Sequence, residues 1–78
     1  MIHDLKILPV HFDAVRCGNK RAELRKWDRN FSEGDTLRLR EWTEADGYTG
    51  RVIDVLVVHV CNVGEYAPGY LMLSFFVL

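Results

Sequence analysis

The densest group of side chains that could do chemistry lies in the segment Gly18–Arg25, which reads Gly-Asn-Lys-Arg-Ala-Glu-Leu-Arg. Arg25 offers a planar fork of donors for a phosphate or a base edge, and Lys20 offers a compact positive charge. Glu23 shares a strand face with Arg25, where it can orient the guanidinium or accept from the exocyclic amine of cytosine or adenine. The alternative is a surface ion pair worth about 0–1 kcal/mol. The segment predicts a recognition site.

Positive charge is concentrated around this segment. Residues 16–40 hold eight of the ten basic residues, although acidic residues are interspersed among them, so a mixed solvated surface is the alternative interpretation. The net charge is only −1, unlike that of strongly basic nucleic-acid-binding domains. A nucleic-acid site would therefore be local. We predict that it comprises Lys20, Arg21, Glu23, Arg25, Lys26, Trp27, Arg38 and Arg40.

Aromatic residues lie among these cations. Trp27 has the strand parity of the Glu-Arg pair, and Trp42 has that of Arg38 and Arg40, so each is a candidate stacking platform worth about 1–3 kcal/mol per base. Each tryptophan could instead cap the core. Both interpretations stay open for Trp27, whereas for Trp42 we favour the core or its rim. Tyr66 is a further candidate for the mouth of a cleft.

The sequence contains no residue spacing typical of a metal site or a cofactor site. The three histidines and two cysteines form neither a C-x-x-C nor an H-x-x-x-H pattern, so no metal site is expected. No phosphate-binding or dinucleotide glycine motif is present, and no cofactor is expected. We interpret Cys17 and Cys61 as reduced core thiols, because disulfide-dependent small domains usually carry four or more cysteines. His59, in an apolar segment, is interpreted as a core histidine.

The strands and the helix that must position the basic segment lie in the first half of the chain. His3–Leu8 predicts a strand, Pro9 suits the first turn of a helix, and Gly18 can end that helix. Lys20–Trp27 and Thr36–Trp42 alternate between apolar and polar residues and predict two strands separated by turn residues. We expect these two strands to form a hairpin or wide meander whose basic residues face one way.

The second half of the chain is more apolar. Arg51–Cys61 is rich in valine and predicts a long strand, buried along most of its length, at the centre of the fold. After a loop over Asn62–Gly69, Tyr70–Val77 predicts a final strand. Phe75 and Phe76 point to opposite faces of that strand, so one of them needs a covering loop or a partner.

The resulting order, β-α-β-β-β-β, indicates a mainly β, α+β fold. One helix cannot cover both faces of a five-stranded sheet, so we predict a strongly curved sheet or a β-barrel. An open α+β sandwich is the alternative. Seventy-eight residues suit a single domain spanning residues 1–78. Because no secretory pattern or run of 18 apolar residues occurs, we expect a cytoplasmic protein without membrane association.

The spacing Gly18-x-Lys20-x-x-Glu23-x-Arg25 resembles the G-x-K-x-x-E-x-R signature of the ASCH domain, a PUA-like family. With the further segments His-Asp-Leu-Lys from His3 and Gly-Asp-Thr-Leu after Glu33, most of the chain is similar to the small DUF3850 branch of that superfamily, common in bacteria and their phages. The resemblance implies a PUA-like barrel with a cleft beside the helix, lined by the motif residues and proposed to bind RNA.

The resemblance also implies an enzymatic alternative. Some small ASCH relatives are amidohydrolases of acetylated cytidine in which the motif lysine, Lys20 here, takes part in catalysis. Those enzymes carry threonine where Glu23 stands, so this chain lacks their hydroxyl nucleophile. An enzyme would therefore need Lys20 activated by desolvation and Glu23 as acid or base.

Three functions remain open after the sequence. The first is an RNA-binding module, which requires an open groove that continues from the motif along Arg38 and Arg40. The second is the amidohydrolase, which requires a closed pocket of nucleoside size. The third is a phage-type accessory protein that binds a host protein through an exposed apolar patch. For the first two, we expect Lys20, Glu23 and Arg25 to converge on one concave surface.

Overall fold

The computed structural model describes residues 1–78, which form one five-stranded sheet and one helix. The elements are β1 (Ile2–Ile7), α1 (Pro9–Arg16), β2 (Ala22–Lys26), β3 (Thr36–Thr43), β4 (Gly47–Asn62) and β5 (Tyr70–Val77). Their order and the bounds of β5 agree with the prediction from sequence. β4 is longer than predicted, because pairing with β3 extends it back to Gly47. The helix is neither long nor apolar enough to cross a lipid bilayer.

The sheet curls into a half-barrel with the strand order β1-β3-β4-β5-β2. β1 and β3 are parallel, and all other neighbours are antiparallel. The curl brings the two edge strands together: the Nη2 atom of Arg25 in β2 donates to the carbonyl oxygen of Lys6 in β1 at 2.7 Å. We call the gap between β1 and β2 the seam. The predicted mainly β fold with a curved sheet and one helix is confirmed.

The predicted hairpin or meander of the second and third strands is wrong. β2 pairs with β5, with Ala22 opposite Ser74 and Lys26 opposite Tyr70. Both edges of β3 are already occupied, by β1 on one side and β4 on the other. The basic residues of β2 and β3 therefore lie in different parts of the sheet, three strands apart in the pairing order.

The core fills the inner, concave face of the half-barrel. It consists of twelve buried apolar residues: Leu5, Ile7, Phe12, Val15, Phe31, Leu37, Leu39, Val55, Val57, Leu71, Leu73 and Phe75. Phe12 and Val15 come from α1, so the helix closes this core through these two side chains. Phe75 is buried while Phe76 is exposed on the outer, convex face, in agreement with their predicted opposite directions.

β4 is the central strand, as predicted, but the prediction that it is buried along most of its length is wrong. Only Val55 and Val57 of this strand are buried. The two neighbours of β4 are staggered along it: of residues 47–52, Gly47, Tyr48 and Val52 pair with β3 and none pairs with β5, whereas residues 59–62 pair only with β5. The two ends of the strand thus extend past one neighbour each and remain open to solvent.

Two further predictions about buried residues are wrong. His59 is exposed, with Nδ1 3.4 Å from Glu33 Oε1, because a bulge between Val57 and His59 shifts the register by one residue. The shift turns His59 outward and lets Val60 pack against the core instead. The thiols of Cys17 and Cys61 are free and exposed rather than buried in the core.

Candidate ligand-binding cleft

A cleft of about 500 Å³ opens along the seam, and fourteen residues line it. They come from β1, the start of α1, the residues that lead into β2, β2 itself, the loop after it and the first residue of β5. The volume lies within the range of about 300–1,000 Å³ that is typical of small-molecule sites. We call this space the seam cleft.

Positive charge dominates the lining of the seam cleft. Five cationic side chains outnumber two carboxylates, those of Glu23 and Asp28, although the whole chain is slightly acidic. The cations are Lys6, Lys20, Arg25, Lys26 and Arg29. The apolar part includes two aromatic rings, Phe31 and Tyr70. Such a lining suits an anionic ligand with a planar, apolar part.

Glu23 and Arg25 are held rigidly on the inner face of β2. Their partners on β5 are the buried residues Leu73 and Leu71, so both side chains point toward the barrel interior at its open side. Arg25 Nε donates to Glu23 Oε2 at 2.7 Å, and Nη2 donates to the Lys6 carbonyl oxygen. The side chain of Arg25 is 25% exposed and that of Glu23 is 12% exposed.

This arrangement leaves one donor group and one acceptor unused. Arg25 Nη1 and Glu23 Oε1 have no hydrogen-bond partner within the protein. Since no buried polar side-chain atom lacks a partner, both atoms are accessible to solvent. The pair therefore presents one unpaired donor and one unpaired acceptor to the cleft, the kinds of group that bind the edge of a base.

Lys20 reaches the seam cleft because the helix ends sharply. Gly18 adopts a φ of 82°, a conformation that glycine enters without the steric cost of a Cβ atom. The chain then turns back, and the Lys20 N–H donates to the carbonyl oxygen of Ala14 at 2.9 Å. Lys20 precedes the first residue of β2, so the alternation of the strand does not apply to it. Lys20, Glu23 and Arg25 consequently line one cleft.

Only one of the other candidate residues of the motif region lies in the cleft. Lys26 lines the seam cleft, but Arg21 and Trp27 do not. Arg21 is exposed, and its Nε donates to the carbonyl oxygen of Gly18 at 3.0 Å. Trp27 is exposed just beyond β2, where its backbone N–H donates to the carbonyl oxygen of Gly69, so it does not cap the core.

Arg38 and Arg40 lie elsewhere, and the predicted groove along them from the motif is absent. They project from the outer face of β3, whose alternate residues Leu37 and Leu39 are buried. Arg38 makes two hydrogen bonds to Asp54, at 3.1 and 3.2 Å, and these raise the pKa of its guanidinium. The groove prediction is wrong because it assumed that β2 and β3 are adjacent.

Six polar or aromatic cleft residues were not identified from the sequence as candidates: Lys6, His11, Asp28, Arg29, Phe31 and Tyr70. Lys6 belongs to β1, and only the curl of the sheet brings this strand opposite β2. Phe31 carried a usable signal, since a single large apolar residue within the polar turn segment indicates a return to the core. No group of three or more potential ligands is placed to hold a metal ion.

Comparison with known proteins gives a family match over nearly the whole chain. Residues 2–75 match the family described as "Domain of unknown function (DUF3850)". The chain is also 40% identical over 72 residues to the "Uncharacterized 12.9 kDa protein in GpA 3'region" of Escherichia phage P2. That alignment covers 92% of this chain and 65% of the phage protein, so the chain spans about two thirds of the length of this relative. All fourteen cleft residues fall within the family match.

Proposed function

The chain belongs to the DUF3850 family, and from that premise and the seam cleft we propose that it binds single-stranded RNA in the cytoplasm. The observation that carries the proposal is the rigid pair of Arg25 and Glu23, with one free donor and one free acceptor, inside a cleft lined by five cations. The proposal includes a relationship to the PUA-like ASCH domain. The curled sheet and the cleft beside the helix agree with that relationship.

Each part of the cleft has a defined role in this proposal. The lysines Lys20 and Lys26, whose side chains are long and flexible, meet phosphates, while a ring such as Tyr70 contacts the face of a base. Arg25 Nη1 donates to a ring nitrogen or carbonyl of the base, and Glu23 Oε1 accepts from an adjacent amine. Single-stranded RNA fits better than duplex because the Watson–Crick edges of its bases are free.

An amidohydrolase acting on a modified nucleoside such as acetylated cytidine is the second candidate. The compactness of the cleft favours it, since the cleft does not continue along β3 as a long groove. However, no serine, threonine or cysteine lines the cleft, so a covalent mechanism would depend on Lys20 or a carboxylate. The groove expected for RNA along Arg38 and Arg40 is absent, but the five cations of the seam cleft itself can still contact phosphates, so we place RNA binding first.

A protein partner is the third candidate, favoured by the apolar outer face. Val58 and Phe76 are large apolar residues that are exposed there, as a docking surface requires. The charge of the seam cleft has no part in this alternative.

Fluorescence anisotropy with a labelled eight-nucleotide single-stranded RNA tests the first candidate. If three to five phosphates are neutralised, log K should fall against log salt with a slope of roughly −2 to −3.5, and Lys20→Ala should reduce that slope by about 0.7. Arg25→Lys, which keeps the charge but loses the fork, should cost about 1–3 kcal/mol of binding. Arg16→Ala is the matched control, because Arg16 is an exposed cation at the end of α1, four residues before Lys20, and lies outside the cleft.

Two results would contradict this proposal. Equal effects of Lys20→Ala and Arg16→Ala would show that the cleft is not the site. Release of cytidine from acetylated cytidine, followed by chromatography and lost in Lys20→Ala, would support the enzyme instead.

A further inference from the structure

A second basic and aromatic cluster lies on the outer face of β1, β3 and β4. Lys6 is opposite Arg40 in the register of β1 and β3, and Trp42 is opposite Tyr48 in the register of β3 and β4. The neighbouring residues Leu5, Leu39 and Glu41 are buried on the inner face, so these side chains project outward. We call Lys6, Arg40, Trp42 and Tyr48 the outer platform.

Each ring of the outer platform is covered by a cation that has no carboxylate partner. Lys6 Nζ lies 4.1 Å from the centre of the Trp42 ring, and Arg40 Cζ lies 4.1 Å from that of the Tyr48 ring. Neither cation takes part in a salt bridge, whereas Arg38 is paired with Asp54 on the same face. Lys6 and Arg40 are thus the cations of this face that are free to meet a phosphate.

Lys6 connects the outer platform to the seam cleft. It lines the cleft, and its amine also rests over Trp42. β1 is an edge strand, so no other strand separates the cleft from the outer face at this position. We propose that the RNA strand bound in the seam cleft continues over the edge of β1 and stacks its bases on Trp42 and Tyr48. This inference rests on the proposed function.

The competition between cation and base favours such stacking. A cation–aromatic contact at an exposed site is weaker than the stacking of a nucleic-acid base on the same ring. Tyr48 is 51% exposed, so a base has access to it. When a base takes the ring, Arg40 is released to pair with the adjacent phosphate, and the two contacts reinforce each other.

The dimensions of the sheet set the length of the bound segment. Adjacent strands lie about 4.8 Å apart, so Tyr48 on β4 is roughly 10 Å from β1 across β3. This distance accommodates about two nucleotides beyond those held in the cleft, for a footprint of about four nucleotides. The acidic residues Glu44 and Asp46 in the β3–β4 turn end the basic surface beyond Tyr48.

Length-dependent binding tests the platform separately from the cleft. We expect wild-type protein to bind an eight-nucleotide single-stranded RNA more tightly than a dinucleotide. Tyr48→Leu should weaken binding of the eight-mer at least about five-fold and leave the dinucleotide unaffected. Tyr66→Leu is the matched control, because Tyr66 is 84% exposed and lies in the β4–β5 loop outside both surfaces. Thermal melting confirms that both variants remain folded.

Tryptophan fluorescence provides a second test of the platform. In Trp27→Phe the only tryptophan is Trp42, and its emission should be quenched by the eight-mer but not by the dinucleotide. If Lys20→Ala abolishes binding while Tyr48→Leu and the Trp42 emission show no effect, the platform is refuted and the proposed function stands. If no RNA binds at all, the proposed function fails and the platform with it. Equal losses in Tyr48→Leu and Tyr66→Leu would likewise overturn the platform.

Discussion

Arg25→Ala should open the seam and destabilise the whole fold. Arg25 spans the two edge strands through two hydrogen bonds of 2.7 Å, one to Glu23 in β2 and one to the carbonyl oxygen of Lys6 in β1. No backbone pairing joins β1 to β2. The side chain of Arg25 therefore contributes directly to the closure of the half-barrel.

The expected loss follows from the surroundings of each bond. A hydrogen bond to a charged group contributes about 1.5–3 kcal/mol, but the Lys6 carbonyl faces an open cleft and water can replace the guanidinium there. Glu23 is only 12% exposed, so removal of Arg25 leaves a carboxylate that is neither well solvated nor paired. The free-energy cost of leaving Glu23 without its partner lies between that of breaking a surface ion pair and that of breaking a buried one. We expect a total of about 2–3 kcal/mol, which lowers the Tm by roughly 10–20 °C in a domain of this size.

Urea unfolding followed by tryptophan fluorescence measures this change. A double-mutant cycle with Glu23→Gln should give a coupling energy of about 1–2 kcal/mol, because the two side chains are in direct contact. Arg29→Ala is the control: Arg29 is exposed, forms an ion pair with its neighbour Asp28 at 3.4 Å, and has its guanidinium 5.9 Å from the centre of the Phe31 ring, so it should change stability by less than about 1 kcal/mol. If Arg25→Ala costs no more than Arg29→Ala, the idea that Arg25 holds the seam is refuted.

Two further predictions concern buried carboxylates. The hydrogen bond from His3 Nε2 to Asp35, at 2.8 Å, is the largest cause that lowers the pKa of Asp35 below its usual 3.8. Because the pKa of Asp35 is lower in the folded state, its ionised carboxylate stabilises the protein at pH values above the unfolded-state pKa. This stabilisation is lost as the pH falls through the folded-state pKa. The free energy of unfolding, measured in urea from pH 6 to 2.5, should therefore drop below about pH 4 in the wild type and vary less in Asp35→Asn. Arg51→Ala should lower the free energy of unfolding by about 2 kcal/mol, since the side chain of Glu41 is 5% exposed and would retain only its hydrogen bond from Thr49. Thermal melting measures this change, and an unchanged Tm would show that Arg51 does not hold the buried carboxylate.

The sequence by itself determined the local features of this protein. The apolar run Tyr70–Val77 predicted β5 with its observed bounds, and Gly18 marked the turn that follows α1. The alternation of Lys20–Trp27 placed Glu23 and Arg25 on one face of their strand. These features depend on side-chain direction and backbone conformation over a few residues, so a single sequence is sufficient to derive them.

Only the tertiary structure decided which strands are neighbours and what lies across the seam. Alternation predicted that Arg38 and Arg40 share a face, but not that β3 lies between β1 and β4 while β2 pairs with β5. That choice separated both arginines from the motif and brought Lys6 to the seam cleft instead. The bulge at His59 likewise turned outward a residue whose apolar neighbours in the sequence indicated the core. Strand adjacency, curl and bulges depend on the packing of the entire chain, whereas side-chain periodicity is a property of each strand alone.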